Sequence, residues 1–567
     1  MGTSKTRAPY LLLLLPFVYL QIFYGLGALG LVGPDEPRYA EVAKEMLRSG
    51  DFVTPRLSGQ PWLEKPILYY WITTLSFHLF GVNESAARLA SAAAAVLGIL
   101  AAILIGRDWI GFRGGVQAAL ILSSCILYFS LARAASTDML LTGTLTAAWA
   151  GFYFLLFPRK RFLGGSQLAG EFGRAVHDVE AWWQRSALPV LSYFFLALSM
   201  LAKGPVGLIL LGGVLALFLV LTRRFELIKQ MRVGLGVIIV TLVAGPWYWL
   251  CYHANRHLFI EEFLLRQNLE RFTTDRYQHL QPFWFYFAVI FVGFFPWVFQ
   301  LFSSAARFLR RLSKIGSDPA AAREVYLWLW VIVPLVFFSL SRAKLPGYIL
   351  PTAPSLALLA AREFELGSSE TRDSSRKRWF KWAALSQALF IGVLAFVLPF
   401  AKQRLNLEIG PFVSELQGTF IGVGLLGLIL AHFDRVRALL ALYLSATAVM
   451  VMFVISAVIP RLDPLESQRQ LALTLKQEGF SGQPIYLLGL SRRVEYGLNF
   501  YLDTTTRIIY SEGDLRSTEG EAFLLTPIDF ELTSLRTRFN LKSQTAFHGQ
   551  KIIKLGAVEN SRLPSSS

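Results

Sequence analysis

The chain has 567 residues, of which 54% are hydrophobic and only 16% are charged, and its mean hydropathy is +0.47. A soluble protein of this length needs more charge to cover its surface, so the composition excludes that class and indicates a polytopic membrane protein. The formal net charge of +17 is typical of basic cytoplasmic loops in such a protein, and we expect no nucleic-acid partner. Cys125 and Cys251 lie far apart in apolar segments, so they predict neither a disulfide framework nor a metal site.

The apolar runs predict about thirteen transmembrane helices, several of them short or interrupted by Gly and Pro. In chain order they are 10–32, 85–105, 114–132, 138–157, 188–201, 205–222, 233–251, 282–302, 324–340, 346–361, 380–400, 411–432 and 437–459. With the N-terminus inside, the basic clusters 223-RRFELIKQMR-232 and 434-DRVR-437 fall on the cytoplasmic side. The polar loop 33–84, shorter loops and the C-terminal stretch then fall on the opposite side of the membrane.

The sequence predicts two domains, a transmembrane catalytic domain over 1–460 and a soluble extracytoplasmic domain over 461–567. In the second, short apolar runs alternate with turn-rich stretches, which is typical of a small α/β domain. These runs are 485-IYLLGL-490, 507-RIIY-510, 522-AFLL-525 and 551-KIIKL-555.

The first outer loop predicts an amphipathic helix that begins at Asp35 and Glu36 and ends at the Ser49-Gly50 pair. Pro37 suits the first turn of a helix, and acidic residues there favour the positive end of its dipole. Capping of this helix is the structural alternative for both carboxylates, and it is the better explanation for Glu36.

Further charged residues lie at the outer ends of other predicted spans. Glu64 and Lys65 lie between aromatic and proline residues, where a cation can bind a lipid phosphate or simply anchor at the interface. Asp138 begins a predicted span, so helix capping is its alternative role. Lys203 and Lys344 each precede a proline closely in an apolar context. His253 and His257 have a spacing that can share a helix face, which only partly suggests zinc.

All these acids and bases come from distant parts of the chain and are predicted to lie on one side of the membrane. Several cations together with a carboxylate at the reacting centre suit recognition of a lipid-phosphate sugar donor. The sequence therefore predicts an extracytoplasmic cavity lined by carboxylates and cations.

The run 35-DEPRYAEVAKEMLRSGDFVTPRLSGQPWLEKPILYYW-71 resembles the signature of GT-C glycosyltransferases of the aminoarabinose transferase and protein O-mannosyltransferase superfamily. Companion segments resemble the same family in the same order: 132-ARAASTDMLLT-142, 201-LAKGPVG-207, 263-FLLRQNLERF-272 and 342-RAKLPGYILPTAP-354. The resemblance implies an inverting transferase of the inner membrane that moves a sugar from a polyprenyl phosphate to an extracytoplasmic glycolipid, such as lipid A, or to a protein.

The resemblance also implies roles for individual residues. Asp35 matches the acid that activates or positions the acceptor, either directly or through a metal, and Asp138 matches the second acid of the family. Lys65 and Arg271 match cations expected near the donor phosphate, and Tyr348 matches an aromatic hydrogen-bond donor in the same group.

The resemblance also bears on phosphate binding by lysines and on a bound metal ion. Lys203 and Lys344 lie within its motifs and are expected to contribute to phosphate binding. Glu64 matches a carboxylate that binds a metal in the aminoarabinose branch, so a divalent ion of unknown identity is an expected cofactor. Asn268 stands where aminoarabinose transferases carry a histidine, and the loss of an imidazole weakens the prediction of zinc at that position.

The residues leave the chemistry of the acceptor open. A hydroxyl acceptor needs a base, for which Asp35 is the first candidate, whereas a phosphate acceptor needs only orientation. A lipid or sugar transporter is the alternative class, but transporters place ionisable groups near the bilayer midplane, in repeated halves. A non-catalytic assembly protein is a third class, but it assigns no function to the cluster of charged residues.

Overall fold

The computed structural model describes residues 8–158, 183–270, 281–311, 318–368, 374–405, 412–511, 514–515, 521–530 and 541–555. The chain divides into two compact units. The first consists of residues 1–24, 63–72 and 88–453, and the second of residues 25–62, 73–87 and 454–567.

The first unit is built of helices. In chain order its α-helices are Ala8–Ile22, Glu84–Trp109 (which begins in the second unit), Phe112–Ser124, Ile126–Ala132, Thr137–Leu156, Leu188–Lys203, Val206–Thr222, Leu227–Met231, Val233–Val243, Gly245–Asn255, Phe285–Gly293, Val298–Arg311, Pro319–Leu340, Ala353–Ser368, Ser374–Leu405, Val413–His432 and Val436–Phe453. Trp183–Ala187 and Phe259–Glu270 are π-helical, and Pro346–Thr352 forms a 3₁₀-helix.

Six helices of the described residues have the length and composition to cross a membrane, and the number is eight if two bent helix pairs each form one span. Three shorter apolar helices, Leu12–Ile22, Leu188–Lys203 and Val206–Thr222, coincide with predicted spans. The multi-pass membrane class is confirmed, whereas the count of thirteen spans stays a prediction. The predicted run 346–361 begins as the 3₁₀-helix Pro346–Thr352, in which the interior Pro351 lacks the N–H that a regular α-helix would use at that position.

Close approach of helices holds the middle of the first unit together. Helix Thr137–Leu156 is buried along most of its length. At Gly143 an added Cβ would overlap the backbone carbonyl of Ala94, so only glycine permits this separation of the two helices. Further along, the Trp149 ring lies 4.6 Å from that of Trp330, and the Tyr326 hydroxyl donates to the Trp149 carbonyl at 2.8 Å.

A buried ionic cluster joins three further helices of the first unit. The guanidinium of Arg307 donates to Glu324 at 2.9 Å and also to Glu363, whose carboxylate accepts from Ser303 at 2.7 Å. These acidic and basic side chains are almost fully buried. Each charge therefore depends on its partners, and removal of one partner is expected to destabilise the packing.

The second unit contains a five-stranded sheet and several helices. Its helices are Asp35–Ser49, Leu68–Phe80 (which begins in the first unit), Ile459–Glu466, Arg469–Gln477 and Arg492–Leu502, and Val454–Val458 is π-helical. A small hairpin pairs β1, Arg56–Leu57, with β2, Gln60–Pro61. The remaining strands are β3 Ile485–Leu488, β4 Arg507–Ile509, β5 Ala522–Pro527, β6 Leu541–Phe547 and β7 Gln550–Leu555.

The sheet has the order β4-β3-β5-β7-β6, with β3 parallel to both β4 and β5 and the β5-β7 and β7-β6 pairs antiparallel. Leu475 and Leu498 from two helices pack with Leu487 and Phe523 in the core on one face. The predicted small C-terminal α/β domain is confirmed, and each predicted apolar run forms a strand. The sequence prediction missed β6, because this edge strand alternates half-buried and exposed residues and lacks an apolar run.

The amphipathic helix predicted in the first outer loop is confirmed as Asp35–Ser49. Gly50 ends it in the left-handed conformation, and its N–H donates to the Met46 carbonyl. This helix and residues 73–87 belong to the same compact unit as the C-terminal residues, which begin in that unit at Val454. The division predicted at residue 460 stays a prediction.

Candidate functional site

A cleft in the first unit brings together several of the predicted residues. Its empty volume is about 720 Å³, open solvent included. The residues that line it are Glu64, Lys65, Lys203, Pro205, Val206, Ile209, Phe263, Gln267, Phe337, Phe338, Ser341 and Tyr348. Charged, amide and hydroxyl groups thus share one cleft with a larger set of apolar side chains, a combination that suits a ligand with a polar head and an apolar body.

Local sequence explains the positions of Lys203, which lines this cleft, and of Asp138, which pairs with it. Ser136 caps helix Thr137–Leu156, because its hydroxyl accepts from the Asp138 N–H at 3.1 Å. The capping role considered for Asp138 is therefore wrong, and its carboxylate is available for other contacts. Lys203 is the last residue of helix Leu188–Lys203, where the carbonyl end of a helix favours a cation.

Asp138, Lys203 and Tyr348 form one connected group. The ammonium of Lys203 donates to the Asp138 carboxylate, and the two side chains are 12% and 20% exposed. The same nitrogen lies 4.4 Å from the centre of the Tyr348 ring, within the range of a cation–π interaction. This partial burial strengthens the attraction relative to a surface pair, so the lysine is held at the edge of the cleft.

Gly347 makes this arrangement possible. A Cβ at this position would lie 2.5 Å from the Oδ2 atom of Asp138, much closer than side-chain carbons approach other atoms. The absence of a side chain therefore lets the turn before Tyr348 approach the carboxylate. The motif containing Gly347 was identified in the sequence, but the contact was not, because nothing local signals that Asp138 lies opposite.

Apolar side chains from three helical elements form most of the rest of the lining. Phe263 belongs to the π-helix Phe259–Glu270 and stacks with Phe259 at 5.3 Å between ring centres. Phe338 packs against Tyr348 at 5.2 Å, and Ile209 is 48% exposed on helix Val206–Thr222. The sequence prediction did not single out these residues, since each looks like an ordinary lipid-facing or core residue in an apolar helix.

Lys344 occupies a different setting from Lys65 and Lys203. It is buried and donates to the Ser341 carbonyl at 2.6 Å. Ser341 itself lines the cleft. Lys344 is not among the residues that line the cleft, and its bond to Ser341 stabilises the turn that precedes Tyr348. Its contact with phosphate stays a prediction.

Asp35 lies in the second compact unit, at the first position of helix Asp35–Ser49. Its side chain is 60% exposed and accepts from Arg38 at 2.5 Å. Glu36 is buried and accepts from the Val32 N–H at 2.9 Å, which supports the structural role expected for it. The catalytic role of Asp35 stays a prediction.

The cation expected at Arg271 lies outside the described residues. For the metal expected at Glu64, no group of three or more His, Cys, Asp or Glu side chains suited to a metal ion exists within the described part of the chain. Glu64 shares the cleft with Lys65 and Lys203, whose positive charges disfavour a metal cation there. The metal stays a prediction.

Comparison with known proteins shows which proteins the chain is similar to. The family described as dolichyl-phosphate-mannose-protein mannosyltransferase matches residues 64–169. An undecaprenyl phosphate-alpha-4-amino-4-deoxy-L-arabinose arabinosyl transferase of Aeromonas hydrophila is 32% identical over 373 residues, or 65% of this chain and 61% of the relative. The transferase of the same name from Serratia proteamaculans is 30% identical over 399 residues, or 69% and 65% of the two chains.

A similar fold occurs in the crystal structure of ArnT from Cupriavidus metallidurans bound to undecaprenyl phosphate. The TM-score is 0.75 at 22% identity, and the match covers 96% of this chain and 98% of that one. These similarities support the resemblance to the aminoarabinose transferase and protein O-mannosyltransferase superfamily.

The structural match confirms the GT-C fold class predicted from the sequence. The chain spans about three fifths of the length of the Aeromonas relative and 65% of the Serratia relative. The sugar and acceptor named for those relatives are therefore properties of the relatives, and the activity of this chain is proposed from its own cleft.

Proposed function

We propose that this protein is a membrane glycosyltransferase that moves a sugar, with inversion, from a polyprenyl-phosphate donor to an extracytoplasmic acceptor. The observation that carries the proposal is the cleft in which Lys65, Lys203 and Tyr348 adjoin an apolar wall. A polyprenyl phosphate matches that lining, because its phosphate needs cations and its isoprenoid chain needs apolar surface. The Aeromonas and Serratia relatives are named for an undecaprenyl-phosphate sugar, which supports the same class of donor.

The chemical step breaks the bond between the anomeric carbon and the phosphate oxygen. Negative charge grows on the departing phosphate, and the ammonium groups of Lys65 and Lys203 in the cleft can stabilise it. The acceptor oxygen forms the new bond on the opposite face of the sugar ring. The Asp138 carboxylate fixes the Lys203 ammonium, so we assign Asp138 a positioning role toward that cation.

Asp35 is proposed as the group that handles the acceptor. If the acceptor is a hydroxyl, its proton passes to the Asp35 carboxylate as the new bond forms. If the acceptor is a phosphate, it is already a nucleophile and Asp35 orients it. Lipid A, another glycolipid and a protein remain the candidate acceptors.

The test is transfer by the purified full-length protein. The protein in detergent is given a radiolabelled polyprenyl-phosphate sugar together with extracted envelope lipids and proteins, and label in the acceptor fraction is measured. We expect transfer by the wild-type protein and none by Asp35→Asn. Movement of the labelled donor across reconstituted vesicles with no product would instead identify a transporter.

Mass spectrometry identifies the acceptor. Envelope glycolipids and glycoproteins from cells with and without this protein are compared for a mass difference equal to one sugar residue. A difference confined to lipid A identifies a lipopolysaccharide-modifying enzyme, whereas one confined to proteins identifies a protein glycosyltransferase. No difference in either fraction contradicts the proposed function.

The proposed orientation places the active site and the C-terminal domain outside the cytoplasmic membrane. Ser58 lies exposed in the first outer loop, and Arg435 lies exposed in a predicted cytoplasmic loop. Native Cys125 and Cys251 are both buried, so background labelling is expected to be low. A membrane-impermeant maleimide should label Ser58→Cys in intact spheroplasts, whereas Arg435→Cys should react only after lysis; the reverse pattern would contradict the orientation.

A further inference from the structure

The first turn of helix Asp35–Ser49 carries an arginine enclosed by aromatic rings. The Arg38 guanidinium donates to Asp35 and lies 5.1 Å from the centre of the Trp62 ring and 5.3 Å from that of Tyr39. The Arg38 side chain is only 14% exposed, whereas that of Asp35 is 60% exposed. A planar guanidinium close to aromatic rings has few alternative orientations. The direction of the Arg38 N–H group that donates to Asp35 is therefore fixed.

A third ring around Arg38 comes from the C-terminal part of the chain. Tyr496, on helix Arg492–Leu502, is buried, and its ring centre lies 5.9 Å from the guanidinium. This contact lies within the second unit, although more than 450 residues separate the two side chains in the sequence. The C-terminal domain thus contributes directly to the surroundings of the arginine that pairs with Asp35.

The same two helices are joined again at their C-terminal ends. The buried Lys44 ammonium donates to the Phe500 carbonyl at 2.9 Å and lies 3.2 Å from Asp503. Arg48 pairs with both carboxylate oxygens of Asp503. Cations at the carbonyl end of a helix are favourable, so helix Arg492–Leu502 holds helix Asp35–Ser49 at two separate points.

From these contacts we infer that Arg38 and Tyr496 are positioning residues for Asp35, and that helix Arg492–Leu502 sets the direction of this carboxylate for the acceptor. The inference rests on the proposed function, because it concerns the residue proposed to activate or orient the acceptor. It also gives the C-terminal domain a role in the reaction, namely to hold the helix that carries Asp35 in place.

The test compares Tyr496→Ala, Tyr496→Phe and Arg38→Lys in the transfer assay. For Tyr496→Ala and Arg38→Lys we expect kcat to fall about tenfold or more, since small misplacement of a reacting group can cost ~100-fold. Tyr496→Phe keeps an aromatic face and should retain most of the activity. The KM for the donor and the Kd for undecaprenyl phosphate should stay within about twofold of wild type, because these substitutions remove transition-state interactions and not donor binding.

Arg492→Ala is the matched control, since this exposed residue lies on the same helix as Tyr496. Its activity should equal that of the wild type. Equal kcat in the wild type and Tyr496→Ala would overturn the inference. An equal loss of kcat in Tyr496→Phe and Tyr496→Ala would also overturn it. Transfer by the wild-type protein shows that such a result concerns the inference and leaves the proposed function standing.

A second measurement does not depend on activity. Amide hydrogen exchange of the peptide covering residues 35–48 is followed in the full-length wild-type, Tyr496→Ala and Arg492→Ala proteins. We expect faster exchange at the start of this helix in Tyr496→Ala alone. Unchanged exchange in Tyr496→Ala would overturn the positioning role even if the wild-type protein showed no transfer, in which case the proposed function would fail separately.

Discussion

Lys203 pairs with Asp138, although 65 positions separate them in the sequence. The pair joins the end of one buried helix to the start of another at the edge of the cleft. The sequence predicted that Asp138 is an acid of the reaction and that Lys203 is a phosphate ligand. Because each side chain stabilises the charged form of the other, the two residues are expected to act as a unit.

The first prediction concerns that pair. Asp138→Asn and Lys203→Met should each lower kcat/KM for transfer by at least about tenfold, and the double variant should lose less than the product of the two effects. We expect a coupling free energy of about 1 kcal/mol or more, between the values for exposed and fully buried pairs. Strictly multiplicative losses would show that the two residues act independently.

The second prediction concerns Gly347. In Gly347→Ala the new methyl group meets the Asp138 carboxylate, so the Lys203 contact should be displaced and transfer should fall sharply. Gly212→Ala is the matched control, because an added Cβ there has no neighbour within 4 Å. Both variants are assayed for transfer and for apparent melting temperature. Full activity in Gly347→Ala would contradict the role assigned to this close approach.

The third prediction concerns the apolar wall. Ile209→Asn puts an amide on an exposed part of the wall, so it should weaken binding of a long-chain polyprenyl phosphate. The loss should be about 1–2 kcal/mol for a lost apolar contact, and much smaller for a short-chain analogue with the same phosphate. Equilibrium binding of C55 and C10 phosphates distinguishes these cases. An equal loss for both ligands would show that the isoprenoid chain lies elsewhere.

The fourth prediction concerns the dependence of stability on pH. Burial raises the pKa of Glu41 from 4.5 to about 7, although Lys44, 3.0 Å away, favours the charged form. The folded protein therefore holds this proton more tightly than the unfolded chain. The stabilising contribution is complete below pH 4.5 and is lost as the pH rises through about 7. The total change is at most about 3 kcal/mol.

Glu41→Gln removes the titrating group while it keeps a similar shape. The apparent melting temperature of the wild-type protein should fall between pH 5 and pH 8 by more than that of Glu41→Gln, measured at one scan rate. Parallel melting curves across this range would show that Glu41 titrates equally in the folded and unfolded states.

Much of this protein follows from local sequence. Apolar runs predict the membrane helices, because a hydrocarbon environment acts on each segment separately. The helix Asp35–Ser49 and most strands of the C-terminal domain follow from periodicity and turn residues in the same way. The motifs around Asp35, Glu64 and Tyr348 carried the family resemblance, since each is a short run of consecutive residues.

Tertiary structure alone decided which of these residues meet. Asp138 faces Lys203 because two helix ends converge there, and Gly347 matters only because another segment approaches it. Likewise, Arg38 has Tyr496 as a neighbour only through the packing of two helices far apart in the chain. A local pattern specifies what a segment is, whereas the pairing of distant side chains depends on the packing of all the helices together, which no single segment encodes.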